Sequence, residues 1–155
     1  MSLTIRDATS GDENVLVSFL TGLQETERTL HPSRRPPSEI VPVYLDNLRR
    51  RGADILIAED GGQAVGLACG WLDNDDDPLL TADWRQHGWI SDLYVIEERR
   101  AEGISQFLLG AIADRLRGKG AKRLRICALA ANAPAIRAYK AFGFSELEIV
   151  FDAAV

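Results

Sequence analysis

The stretch from Trp89 to Leu129 constrains the fold most. An apolar run with β character, Trp89–Val95, passes through a short charged loop into a segment of helical period. Its apolar positions are Ile104, Phe107, Leu108, Ala111, Ile112 and Leu116, and Gly118 and Gly120 mark its end. A second β run, Arg123–Leu129, follows. Strand, helix, strand in this order requires a crossover, which makes the two strands parallel members of one sheet with the helix on its face. Upstream, Asp54–Glu59 and Gln63–Trp71 flank Asp60-Gly61-Gly62, a hairpin signal that predicts an antiparallel pair. Parallel and antiparallel pairs together make a mixed sheet.

The remaining elements fit around that sheet. Leu3–Thr9 reads as a first strand, and Ser10-Gly-Asp-Glu13 has the spacing of a capping box. Val15, Leu16, Phe19, Leu20 and Leu23 then give a first helix one apolar face, ending near Thr29. The proline-rich Leu30–Pro37 is a surface loop. Pro42 suits the first turn of a second helix carrying Val43, Tyr44, Leu45 and Leu48, which stops at Gly52. Asp73–Asp77 opens an acidic loop, Asn132–Phe142 is a short helix and Phe144–Phe151 a terminal strand. The order βααβββαβαβ predicts an α/β (α+β) sandwich with helices on both faces, a single domain over residues 1–155.

Composition excludes several classes. With 18 basic against 23 acidic residues and a net charge of −5, the chain lacks the basic surface a nucleic-acid partner requires. No apolar run approaches the ~20 residues that span a bilayer, so no membrane partner is expected. The amino terminus lacks the apolar core and cleavage site of an export signal, which predicts a cytoplasmic protein. Cys69 and Cys127 each lie in an apolar run, too few for a disulfide framework, and Cys127 reads as a small core residue. His31 and His87 stand alone in loops without a second ligand at metal spacing, so no metal is expected.

Chemistry concentrates at Ser91–Ser105. A strand leading through Arg99, Arg100 and Gly103 into a helix exposes free backbone N–H groups beside guanidinium charge, an arrangement suited to phosphate. An ordinary strand–loop–helix connection with solvated arginines fits the same segment. A second segment, Asn132-Ala-Pro-Ala-Ile-Arg-Ala-Tyr139-Lys-Ala-Phe-Gly143-Phe144, puts Asn132 at a helix N-cap and Tyr139 two turns later.

Together the two segments resemble the GNAT superfamily of N-acetyltransferases. Arg100-Ala-Glu-Gly103-Ile-Ser105 is similar to its (Q/R)-x-x-G-x-(G/A) pyrophosphate loop, with Ala101 where many members have glycine and Ser105 in place of the final Gly/Ala. Asn132…Tyr139…Gly143-Phe144 is similar to its later block. The resemblance implies a mixed sheet of six or seven strands and acetyl-CoA as cosubstrate. It places the cosubstrate between Trp89–Val95 and Arg123–Leu129, its pantetheine arm on backbone groups of Leu93 and Val95. The diphosphate would lie on the amides of Arg100, Ala101, Glu102, Gly103, Ile104 and Ser105, with charge from Arg99 or Arg100. A backbone N–H near Tyr94 would stabilise the oxyanion, Tyr139 would act as general acid toward the departing thiolate, and Asn132 would cap its helix and contact the pantetheine arm.

For the base, Ser91 stands where some members carry Glu or His, and serine cannot serve at neutral pH. Asp92 next to it is the candidate base or ammonium anchor, with a structural carboxylate or water-mediated deprotonation as alternatives. Glu27, His31 and Ser91 are the candidate acceptor-binding residues, under the first two helices that cover the acceptor pocket in this architecture. Carboxylates there favour a cationic amine. The expected function is acetyl-CoA-dependent N-acetylation of a small cationic primary amine by direct attack. The alternatives are a peptide or protein N-acetyltransferase and a non-catalytic acyl-CoA-binding module. The apolar end Glu148-Ile-Val-Phe151 suits a homodimer as well as edge packing within one chain.

Overall fold

In the computed structural model, which describes residues 2–155, five strands form one sheet in chain order. They are β1 (Leu3–Asp7), β2 (Asp54–Asp60), β3 (Gln63–Asn74), β4 (Gln86–Val95) and β5 (Leu124–Ile126). All neighbouring pairs are antiparallel except β4 with β5. Helices α1 (Glu13–Leu30) and α2 (Pro37–Arg50) cover one face. A single turn, α3 (Ala82–Arg85), precedes β4, and α4 (Ile104–Gly118) covers the other face. Helix α5 (Ala133–Phe142) packs beside α4, where the Gln106 amide donates to the Ala138 carbonyl at 2.9 Å.

Strand alternation divides the core. Ile57, Leu67 and Cys69 meet Leu16, Phe19 and Leu20 of α1 and Val41, Leu45 and Leu48 of α2. Leu56, Ala68 and Ile90 meet Leu108, Leu109, Ile112 and Leu116 of α4. Both faces are covered, which is why β2 and β3 read as nearly unbroken apolar runs. Gly61 and Gly62, both at positive φ, close the expected β2–β3 hairpin with Asp60 opposite Gln63.

Several expectations are corrected. The carboxylate that organises the start of α1 is Asp12, not Glu13: it accepts from the Thr9 N–H at 2.7 Å and the Thr9 hydroxyl at 3.0 Å. Arg6 holds the same carboxylate well below the ordinary range. Helix α2 starts at Pro37, whose missing N–H costs nothing there, so Pro42 lies inside the helix and Val43 is exposed. Strands β3 and β4 extend past Trp71 and before Trp89, so His87 is a buried strand residue opposite Asp73.

The sheet also has five strands, not six or seven. Phe144–Phe151 forms no strand, and Leu147, Ile149, Val150 and Phe151 are exposed. A strand needs an edge to pair with. β5 has only three residues, and Cys127–Leu129 beyond it line a cavity without joining the ladder.

Candidate functional site

The site begins with a break in the β3–β4 ladder. Pairing runs in register from Gly66–Val95 to Cys69–Asp92, then slips so that Gly70 faces Ile90 and Ser91 is the extra residue. Such a bulge bends its strand and re-aims side chains. Gly70 permits it, since a Cβ there would lie 2.7 Å from the Trp89 carbonyl oxygen. Beyond the bulge Asp92 faces α1 and α2, opposite buried Cys69.

The other edge of β4 opens at the same place. β4 pairs with β5 only from Gly88–Leu124 to Ile90–Ile126. The Ile96 N–H donates to the Val65 carbonyl of β3 at 3.0 Å. Strand alternation therefore directs the Tyr94 N–H to β3 and the backbone groups of Leu93 and Val95 into the widening cleft. The cleft is thus faced by backbone groups of Leu93 and Val95, and the N–H nearest Tyr94 on that side is that of Leu93. The Tyr94 ring packs 5.5 Å from Phe19. It occupies a notch at Gly22, where a Cβ would come within 2.8 Å of its Cζ.

The loop into α4 presents main-chain donors. Ala101 has φ +63° and Gly103, the N-cap, φ +82°. No side chain caps the helix, and its first internal bond runs from the Phe107 N–H to the Gly103 carbonyl at 3.2 Å. Among the described residues the N–H groups from Ala101 to Gln106 thus have no acceptor, and with the helix dipole they fit a diphosphate. Ile104 is buried beneath them. The two arginines before the loop differ in their partners. Arg99 is neutralised by Glu102 at 2.7 Å and Asp60 at 2.8 Å, and Glu102 is committed to that pair. Among the described residues Arg100 has no carboxylate partner; its Nε donates to the Val95 carbonyl at 3.1 Å and its guanidinium lies 5.9 Å from the Tyr94 ring centroid.

Beside the cleft is a cavity of about 430 Å³ lined in part by Glu27, Arg34, Tyr44, Ser91, Asp92 and Cys127. Asp92 is 6% exposed. Its Oδ2 accepts from the Tyr44 hydroxyl at 2.7 Å and the Ser91 hydroxyl at 2.6 Å. Burial pushes the Asp92 carboxyl up to about 6, reinforced by the Glu27 charge and opposed by those two hydrogen bonds. Burial likewise pushes the Tyr139 phenol up to about 12, with the fields of Glu27, Asp92 and Cys127 adding. The Tyr139 ring packs on Phe144 with centroids 6.2 Å apart, and its hydroxyl has no partner among the described residues. The Asn132 side chain accepts from the Ala135 N–H at 3.3 Å, the expected cap.

The structure thus brings Glu27, Ser91 and Asp92 together at one cavity, with Tyr139 in electrostatic reach. His31 is not with them. Its Nδ1 lies 2.7 Å from the Ser33 hydroxyl and shapes the loop, while Glu27 pairs with Arg34 at 3.1 Å. Cys127 is exposed at the cavity instead of packed in the core, and partial desolvation there, with the Glu148 charge, raises its thiol. The Tyr44–Asp92 bond went unread in the sequence; the only hint was an aromatic hydroxyl on the apolar face of α2. Among the described residues no group of three or more His, Cys, Asp and Glu is arranged to hold a metal, and no helix is long and apolar enough to cross a membrane.

A profile of the Acetyltransferase (GNAT) family matches residues 20–144, and the chain belongs to that family. A streptothricin acetyltransferase from Streptomyces lavendulae is 33% identical over 113 residues, which cover 71% of this chain and 58% of that protein. The aligned region is thus a little over half of that relative's length. Among solved structures, a predicted acetyltransferase from Clostridium acetobutylicum crystallised with acetyl-CoA has a TM-score of 0.72 at 20% identity, covering 98% of this chain and 96% of its own. An aminoglycoside antibiotic 6′-N-acetyltransferase from Acinetobacter haemolyticus has a TM-score of 0.73 at 16% identity, covering 98% and 97%. Both share this fold.

Proposed function

We propose that the protein moves the acetyl group of acetyl-CoA to a primary amine of a small cationic molecule, by direct attack in a ternary complex. The observation that carries this reading is Asp92. It is a buried carboxyl that burial pushes up to about 6, at the bulge where β4 loses its β5 partner. The edge beyond β5 would hold the pantetheine arm through the backbone groups of Leu93 and the Val95 N–H, and the amides from Ala101 to Ser105 would hold the diphosphate with Arg100 adding charge. Acetyl-CoA supplies an activated thioester carbonyl. The remaining work falls to the chain.

Asp92 removes a proton from the incoming ammonium, with Glu27 and the Ser91 hydroxyl lining the same space. The Leu93 N–H donates to the carbonyl oxygen as it gains negative charge. Tyr139 hydrogen-bonds the sulfur as the C–S bond breaks, and the thiolate takes the second proton, which the acceptor nitrogen sheds after attack. The raised Tyr139 phenol stays protonated well above neutral pH, and because an ordinary thiol titrates near ~8.5 it serves better as a fixed donor than by giving up its proton completely. The Asn132 cap fixes the start of the helix that carries it.

The loop between α1 and α2 supports a small acceptor over a peptide chain, since Ser33, Arg34 and Arg35 close one side of the cavity. A streptothricin acetyltransferase and an aminoglycoside antibiotic 6′-N-acetyltransferase among the similar proteins are in keeping with a polyamine-like or aminosugar-like acceptor. The exposed apolar segment Leu147–Phe151 suits a second copy of the chain as partner. The test is acetyl-CoA-dependent thiol release across polyamines, aminosugars, amino acids and peptides. Small cationic amines are expected to turn over, with Tyr139→Phe about 10²-fold slower on the same acceptor. Preferential acetylation of peptides would overturn the acceptor class, and full activity in Tyr139→Phe the role of the phenol.

A further inference from the structure

We propose that Tyr44 is a positioning residue for acetyl transfer: its hydroxyl, with that of Ser91, pins the Asp92 carboxylate through Oδ2 and leaves Oδ1 to the acceptor. The inference rests on Asp92 being the base and extends it to a residue on a different helix. Both hydrogen bonds, 2.7 Å from Tyr44 and 2.6 Å from Ser91, end on the same oxygen. Among the described residues Oδ1 receives none and it is not fully buried, on a residue that lines the cavity.

The two donors come from independent parts of the fold. Ser91 is the bulge residue of β4, adjacent to Asp92 in the chain. Tyr44 sits on α2, three residues after Val41 and four before Leu48, on the face whose Val41, Leu45 and Leu48 are buried against the sheet. That packing fixes the rotation of α2 and delivers the phenol to Asp92 across 48 residues of sequence. A carboxylate held by one neighbour can still swing about its side-chain torsions; held from β4 and from α2, it cannot turn Oδ1 away without breaking a bond. Preorganisation of this kind places a base without reorganisation when the acceptor arrives.

The same contact sets the acidity of the base. Groups facing Asp92 are Glu27 of α1, Tyr44 of α2, Cys69 of β3, Tyr139 of α5 and Cys127 after β5. Burial raises Tyr44, Cys69, Tyr139 and Cys127, which keeps them protonated near neutrality, and Glu27 is paired with Arg34. The hydrogen bond from Tyr44 favours the charged carboxylate and lowers its midpoint, so its removal moves Asp92 upward.

The test is a carbon-detected NMR titration of the Asp92 carboxyl in the full chain, assigned with Asp92→Asn, beside the pH dependence of thiol release from acetyl-CoA with an aminoglycoside acceptor. In Tyr44→Phe, which keeps the ring, the midpoint is expected to rise by about one unit, the acid limb of the rate profile moving with it. Ser91→Ala, which leaves Tyr44 in place, is expected to shift it in the same direction. An Asp92 midpoint unmoved in folded Tyr44→Phe overturns the positioning role. If instead Asp92→Asn retains the parental rate profile, the base reading fails, and the NMR midpoint alone still decides whether Tyr44 governs the carboxylate.

Discussion

The protein carries two polar regions built on opposite principles. The loop from Ala101 to Gln106 is made of backbone: its donors are amides, its shape comes from Ala101 and Gly103 at positive φ, and of the two arginines before it Arg99 is spent on Asp60 and Glu102, leaving Arg100 to add charge. The acceptor cavity is made of side chains that converge from α1, α2, β4 and the segment after β5. A backbone site tolerates replacement of most of its side chains and is sensitive only to conformation. A side-chain site keeps its conformation after substitution and loses its chemistry. The contrast predicts different failure modes for mutations in the two places.

Asp92→Asn is expected to show the largest effect. Loss of the base lowers acetyl transfer by about 10²–10⁴-fold and removes the acid limb, which in the parent rises through pH 6 as the carboxylate forms. Stability should move the other way. The carboxyl titrates near 6 in the fold against about 4 in an unfolded chain, so the folded state holds this proton more tightly. The group therefore costs stability as pH rises through that window. At pH 7 the asparagine variant is expected to be no less stable than the parent, as checked by thermal melts. A large fall in melting temperature would mean that the Asp92 network holds the fold together and the two regions are less distinct than drawn.

In the backbone site the informative pair is Gly103→Val and Arg99→Ala. Valine at φ +82° is strongly disfavoured, so the loop must re-form and affinity for CoA is expected to fall about tenfold or more by calorimetry. Arg99→Ala removes a charge already paired at the surface and should change affinity by less than about fivefold. Equal losses in the two variants would place the grip on phosphate in the arginine and erase the contrast.

The same division explains what could be read in advance. Turn and cap chemistry is local, so the Gly61-Gly62 hairpin, the Asn132 cap and the glycine entering α4 were legible from neighbouring residues. The apolar face of α4 was legible because helical period alone defines it. Contacts that depend on how one helix is rotated against the sheet were not. Tyr44 reaches Asp92 because Val41, Leu45 and Leu48 set the roll of α2, and no spacing rule states that. The apolar pattern at Phe144–Phe151 satisfies every local rule for a strand, yet pairing requires an edge that lies elsewhere in the chain. His87 and Cys127 were misread for a related reason: the length of β4 and the divergence of β5 are decided by partners, not by the residues themselves.

Ala101 offers the finest test. The family-like loop often carries glycine there, and the structure puts this alanine at φ +63°, in the left-handed region. An L-residue pays about 1–2 kcal/mol to stay there, while glycine loses about 0.5–1 kcal/mol more conformational freedom on folding. The side chain is exposed, so no packing is lost on its removal. Ala101→Gly is thus expected to gain about 0.5–1 kcal/mol, a rise of roughly 1–4 °C in melting temperature for a domain of this size. CoA affinity should stay level or fall slightly, because the amides gain freedom that binding must remove. A loop whose melting temperature drops on this change is held by something other than its backbone conformation, and the distinction between a site of amides and a site of side chains would have to be redrawn around residue 101.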